Sequence, residues 1–184
     1  PCALPISVGF NVYLRTGDSD KVLMGSQHIL MSTSKTLNDF RDKSLVKIDE
    51  AKIKDVTYAR KGEAPIDLVK ADGKYAIIKP EAFEADSAAI KDFVDELSQV
   101  RVTNFFDVPS EALKTALKTP DLQIAWQDET GVKTTLLVTE HDGKVVASFD
   151  PNQRAYALPD EFKTKLKKEV NDFRNRRILE PDSL

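Results

Sequence analysis

The amino-acid sequence predicts an α+β fold, mostly antiparallel β-meanders packed with about four helices, and three observations carry that prediction. Strand-like runs come in succession, first between Lys52 and Ile78 and again between Leu122 and Leu158, without alternating singly with helices, which argues against a doubly wound parallel sheet. Ile90, Phe93, Val94, Leu97 and Val100 make the clearest amphipathic stripe in the chain, so a helix stands between the two runs. The third observation is a recurrence. Asn38-Asp39-Phe40-Arg41-Asp42-Lys43-Ser44-Leu45 returns 133 residues later as Asn171-Asp172-Phe173-Arg174-Asn175-Arg176-Arg177-Ile178. At that offset Val12 to Leu45 aligns with Val145 to Ile178 without a gap, as an internal β-hairpin-plus-helix repeat does. Ile29, Thr33, Leu37 and Phe40 then fall opposite Phe162, Leu166, Val170 and Phe173, at the four, four, three spacing of one buried helical face.

Ile6 to Arg15 is rich in β-branched and aromatic residues and reads as a strand, followed by turn chemistry at Thr16-Gly17-Asp18-Ser19-Asp20. Lys21 to Gly25 returns as a short second strand. The first repeat helix runs from about Gln27 to Asp39; Ser32, Thr33 and Ser34 make it weak by propensity, so packing has to hold it. Lys52 to Arg60, Pro65 to Lys70 and Lys74 to Ile78 form a meander that turns at Ala71-Asp72-Gly73 and stops at Pro80. Asp86 caps the amphipathic helix. A shorter helix, about Ser110 to Leu117, serves as a connector. Leu122 to Trp126, Thr134 to Thr139, Lys144 to Phe149 and Arg154 to Leu158 make a second meander, with turns at Asp128 to Gly131, His141-Asp142-Gly143 and Asp150-Pro151-Asn152. Pro159-Asp160 opens the second repeat helix, which ends around Asp172.

With 184 residues, 41% hydrophobic and 31% charged, the chain can bury a core, and it reads as a single α+β domain of two packed halves, about 1–105 and 106–184. A net charge of −3 supplies no overall field to hold nucleic acid or an anionic membrane. Cys2 is the single cysteine, so no internal disulfide can form. The longest apolar runs, such as Leu136 to Thr139, fall far short of the roughly 18 residues that a spanning helix needs. Pro1 at the start, and an end just after the second Asn-Asp-Phe-Arg, suggest a fragment of a longer protein.

No catalytic constellation is visible. Arg41 and Arg174 could clamp an anion bidentately. The structural reading is stronger: Phe40 and Phe173 close a helix's apolar stripe while each arginine meets the negative helix end or a nearby carboxylate. Asn38, Asp39, Phe40, Arg41, Asn171, Asp172, Phe173 and Arg174 are therefore taken as a structural repeat motif. Lys163, Lys165, Lys167, Lys168, Arg174, Arg176 and Arg177 are interleaved with acidic residues and read as a solvated face, with Arg176 and Arg177 kept as a candidate interaction end. His28 and His141 stand in no ligand spacing, and Asp18-Ser19-Asp20 lacks the glycine and glutamate of a calcium loop, so neither a metal nor another cofactor is expected. Glu81, Glu84 and Asp86 read as a helix entry that could also do acid and base work. Trp126 reads as a strand residue packed against a helix or, if exposed, as an anchor for a partner or a sugar.

Two stretches carry a resemblance. Lys70-Ala71-Asp72-Gly73-Lys74-Tyr75-Ala76-Ile77-Ile78-Lys79-Pro80, followed by Ala85-Asp86 and Ile90 to Leu97, is one; Tyr156-Ala157-Leu158-Pro159-Asp160 leading into Asn171 to Ile178 is the other. Together they resemble a bacterial domain of unknown function that often occurs in tandem units beside gliding-motility-type ABC transport systems. Tyr75 stands where that family often has tryptophan, and Ser110 to Pro120 replaces its usual Tyr-Gly-Leu-Asp-like turn. The resemblance implies a periplasmic or extracytoplasmic place, an anchor outside this stretch, and a protein partner such as an ABC permease or related envelope subunit. It brings no catalytic residues. The expected function is a non-enzymatic interaction or scaffold module accompanying such a system. The alternative is a glycan or cell-wall ligand-binding or hydrolase domain using carboxylates such as Glu81 or Asp86.

Overall fold

The computed structural model describes residues 6–8, 11–15 and 20–176. The chain divides into two compact units, residues 1–42 and 43–184.

In the first unit β1 (Ile6–Val8), β2 (Asn11–Arg15) and β3 (Val22–Ser26) form an antiparallel sheet in that order. The single strand expected over Ile6 to Arg15 is thus two, and most of the turn expected at Thr16 to Asp20 lies outside the described residues. Helix α1 (Gln27–Thr33) follows, and a 3₁₀ turn spans Leu37–Asp39. The one helix expected over Gln27 to Asp39 is therefore interrupted. Serines such as Ser32 and Ser34 compete with the helix for backbone hydrogen bonds. Thr36 starts a new turn, donating from its N–H and its hydroxyl to Asp39 Oδ2 at 2.7 and 2.9 Å. An interrupted helix cannot carry one apolar face through to Phe40. Phe40 is 77% exposed, which corrects the expectation that it closes a buried stripe.

The second unit begins with a 3₁₀ turn (Glu50–Lys52), then β4 (Ile53–Arg60), β5 (Ile66–Ala71), β6 (Lys74–Lys79) and β7 (Phe83–Glu84). Helix α2 (Ser87–Gln99), β8 (Asn104–Phe106) and helix α3 (Glu111–Lys118) come next. Then follow β9 (Leu122–Asp128), β10 (Lys133–His141), β11 (Lys144–Ser148) and β12 (Ala155–Ala157). These form one 9-stranded antiparallel sheet, ordered β7-β6-β5-β4-β9-β10-β11-β12-β8. The two expected meanders are fused through β4 and β9, where Val56 lies opposite Trp126 and Tyr58 opposite Ile124. A boundary near residue 105 therefore falls within a continuous sheet. The hairpins at Asp72-Gly73 and Asp142-Gly143 hold both central residues at positive φ (50° and 77°; 50° and 71°), the turn that asparagine or aspartate followed by glycine favours.

Asp86 caps α2 as expected, its Oδ1 accepting from the N–H groups of Ala88 and Ala89 at 3.0 and 3.2 Å. The stripe Ile90, Phe93, Val94 and Leu97 is buried in the main core with Tyr58, Leu68 and Ile124. Helix α3 is more than a connector. Ser110 Oγ caps it by accepting from Leu113 N–H at 3.2 Å, and Leu113 and Leu117 are buried with Val146 and Ala155 in a second, smaller core. Successive strand residues point to opposite faces. Val145 and Ala147 belong to the main core and Val146 to the smaller one, so α2 and α3 cover opposite faces of the sheet.

The helix expected over Pro159 to Asp172 is split into α4 (Phe162–Lys165) and α5 (Val170–Phe173). Glu169 between them is extended, with φ −118° and ψ 164°, and its N–H donates to Asp172 Oδ2 at 2.8 Å.

On the sheet, Asp67 accepts a hydrogen bond from Thr57 Oγ1 at 2.8 Å and pairs with Lys79 at 2.8 Å. Burial pushes its carboxyl up, but the bonds from Lys79 and Thr57 outweigh that and hold it below the usual carboxylate range. A folded-state pKa below the unfolded one stabilises the fold above the ordinary value near 4, and that contribution is lost as pH falls through the folded value. Denaturant midpoints followed from about pH 5 to pH 2 are expected to fall less steeply for Asp67→Asn than for the parent chain.

Candidate functional site

The second copy of the repeated motif, at Asn171 to Arg174, is held by a cluster of rings. Phe173 is 1% exposed and meets Phe93 and Tyr58 edge-on, with ring centroids 5.4 and 6.2 Å away; Tyr58 and Phe93 close the triangle at 6.1 Å. Tyr58 is buried on β4, yet its hydroxyl has two partners. It donates to Leu166 O at 2.7 Å and accepts from Lys168 N–H at 3.0 Å. It therefore satisfies the backbone where the chain leaves α4 and before it enters α5. Tyr58→Phe is expected to lower the unfolding free energy by about 1–3 kcal/mol, because both backbone groups then lose their partner; urea denaturation checks this.

After Phe173 the chain runs along the segment that enters α2. Asp86 N–H donates to Phe173 O at 2.8 Å, Asn175 N–H donates to Glu84 O at 2.9 Å, and Ala85 and Arg174 form an isolated bridge. The Arg174 guanidinium lies over the Phe83 ring, 4.0 Å from its centroid. Arg176 donates from Nε and Nη2 to Asn171 O at 3.0 and 2.7 Å and reaches Asp172 at 3.5 Å. Most of the cations described here are used within the chain. Lys163 pairs with Glu140, Lys165 with Glu161 at 3.7 Å, and Lys168 with Glu96 at 3.5 Å. In the first copy Arg41 donates to Asn38 Oδ1 at 3.2 Å, and Asp39 holds Thr36.

Trp126 is 8% exposed, on a central strand of the sheet and within the main core. That corrects its place among the candidate interaction residues, since a buried strand tryptophan offers no anchor to a partner. Arg177 lies outside the described residues. Asp86 is engaged as the α2 cap, while Glu81 and Glu84 are exposed.

A cleft of about 460 Å³ opens elsewhere, where the end of β4 meets the start of β9, the end of β10 and α4. Leu122, Val138, Val145 and Leu166 are its apolar walls, and Arg60, Lys61, Lys163 and Lys167 line it together with Glu63, Asp121 and Glu140. Arg60 Nη2 pairs with Glu63, but its Nη1 is buried with no hydrogen-bond partner among the described residues. Asp121 accepts from Thr139 Oγ1 and from Glu140 N–H at 3.1 and 3.0 Å. Such a cleft suits a small ligand with an apolar body and an anionic or carbonyl oxygen. Sequence reasoning missed it because its residues lie far apart, at 60–63, 121–122, 138–145 and 163–167.

Residues 7–120 match a family described as a domain of unknown function (DUF4340). The chain belongs to that family. The DUF4340 match runs through the first unit and on to the end of α3, so it contains Asn38 to Arg41, Tyr58, Glu81, Asp86 and the α2 stripe. Phe173 and most of the cleft residues lie beyond the DUF4340 match. No curated protein and no solved structure matches the chain.

Proposed function

We propose that this DUF4340 chain is a non-enzymatic interaction or scaffold module, built of repeated units and placed on the extracytoplasmic side of the membrane beside a gliding-motility-type ABC transport system. The observation that carries the repeated-unit part is a register. In the first unit Tyr13, Leu14 and Arg15 lie opposite Met24, Leu23 and Val22. Adding 133 to each number gives Val146, Ala147 and Ser148 opposite Ala157, Tyr156 and Ala155, which is the observed pairing of β11 with β12. The same holds for β1 with β2: Ile6 opposite Tyr13 and Val8 opposite Asn11 become Thr139 opposite Val146 and His141 opposite Lys144. The hydrogen bond from Thr36 N–H to Asp39 likewise becomes that from Glu169 N–H to Asp172. Arrays of like units serve as extended binding surfaces, because each unit repeats its exposed strands and loops along the array. In the second unit β8 lies at one end of the sheet order, leaving one edge for an added strand.

The transport setting rests on the resemblance of Lys70 to Pro80 and of the α2 stripe. Cross-linking in living cells, followed by solubilisation, affinity capture and mass spectrometry, tests it. Recovery of an ABC permease or ATPase is the expected result. Recovery of soluble envelope material or glycan alone would remove the transport setting and favour the second reading, a ligand-binding domain centred on the cleft at Arg60.

A further inference from the structure

The first unit has the strands, the register and, at Thr36 to Asp39, the turn that also close the second unit, but not the surroundings. In the second unit β10 is flanked by β9, and β12 by β8, with Ala155 opposite Phe106 and Ala157 opposite Asn104. In the first unit the equivalent strands, β1 and β3, are the outer strands of a sheet of three. The difference registers residue by residue. Ala155 and Ala157 are 0% and 2% exposed; their equivalents Val22 and Met24 are 62% and 67% exposed. Phe173 is 1% exposed, and its equivalent Phe40 is 77% exposed. Val170 is partly buried against the main core, and its equivalent Leu37 is 74% exposed. Large apolar side chains on a strand edge and beside it are costly to leave in water and invite pairing. Most of the large hydrophobics exposed among the described residues lie in this one unit.

We infer that residues 6–42 are the closing part of a further unit, and that this face is covered by a half-unit with the architecture of residues 43–138. That inference rests on the repeated-unit reading above. The occupant follows from the second unit itself. There, the edges and the ring of Phe173 are covered by β9, β8, α2 and Tyr58, all drawn from residues 43–138. At a period of 133, residue 138 is equivalent to residue 5, so the last residue of the covering half-unit joins the strand β1 directly. Cover and covered face then belong to one polypeptide, and the association is intramolecular. A second copy of this chain fits less well, because its own residues 43–138 are already engaged with β10, β11 and β12.

The test compares chain 1–184 with the polypeptide that its natural coding sequence specifies when read upstream of Pro1, using amide hydrogen exchange resolved to residues 11–15 and 22–26. The expected result is that exchange in both strands slows at least about a hundredfold in the longer polypeptide. Phe40→Ala, with little effect on the thermal midpoint of chain 1–184, is expected to lower that of the longer polypeptide as Phe173→Ala does. Four results would overturn the inference. The coding sequence could supply no such half-unit. An upstream half-unit could fold, with its own amides protected, and leave residues 22–26 unchanged, in which case the completion fails while the repeated-unit reading stands; an upstream region with no protected amides would remove both. Finally, chain 1–184 alone could self-associate with concentration and protect the same amides, which would assign the face to a second copy.

Discussion

Phe173→Ala is expected to lower the unfolding free energy by about 3–5 kcal/mol, whereas Phe40→Ala, at the matching place in the first copy of the motif, is expected to change it by less than about 0.5 kcal/mol. Phe173 has lost nearly all its exposure and touches two other buried rings, so alanine would open a cavity that Tyr58 and Phe93 cannot both collapse into. The cavity also lies under the break between α4 and α5, where the Tyr58 hydroxyl holds Leu166 O and Lys168 N–H. Phe40 stands 77% exposed at the end of a 3₁₀ turn, and its removal returns little area to water. Urea melts of the two variants of chain 1–184 decide the matter. Equal losses would mean that the two copies sit in equivalent surroundings, contrary to the structure. A loss near zero at Phe173 would remove it from the core.

Leu117→Ala is expected to cost about 2–5 kcal/mol. Leu117 is 0% exposed, and the core it shares with Leu113, Val146 and Ala155 is small. Val146 and Ala155 are short side chains on the sheet, so few groups can move into the space that Leu117 would vacate. Helix α3 spans only Glu111–Lys118 and is too short to persist by its own hydrogen bonds. Its two leucines are what hold it to the sheet face. Beyond the loss in global stability, amide exchange within α3 is expected to rise more than exchange in β11, because the helix can detach while the other face of the sheet stays packed on α2. Uniform acceleration across the sheet would instead mean that the two cores form one cooperative unit.

Elements with a strong period were legible in advance. The α2 stripe and its Asp86 cap agree with the sequence reading, and β4, β5, β6 and the strands β9 to β12 agree with it to within two residues at either end. Asp72-Gly73 and Asp142-Gly143 announced their hairpins because few other pairs accept positive φ at both places. The short strands β7 and β8 were not legible, since two or three residues carry no period. The two repeat helices were read too long for a related reason. The spacing of Ile29 to Phe40 and of Phe162 to Phe173 fits one helical face, yet the hydrogen bonds from Thr36 to Asp39 and from Glu169 to Asp172 start new turns in the middle of each.

The candidate site divided along the same line. The Asp86 cap could be read from the sequence, and the arginines of the motif could be named, but the partners of those arginines could not. The Arg174 guanidinium lies over Phe83, and that contact depends on which segment lies alongside. The cleft at Arg60 had no signal at all, because four separated stretches of chain build it.

The fold class, the run of antiparallel strands and the 133-residue recurrence are legible from the residues alone, because side-chain periodicity and turn chemistry are properties of short stretches. That both meanders belong to one sheet, that Trp126 is enclosed, and that two like phenylalanines, Phe40 and Phe173, have opposite surroundings emerges from the packing of distant segments. Burial is a property of what packs against a residue from elsewhere in the chain, and the same local pattern is a core element in one place and an exposed edge in another.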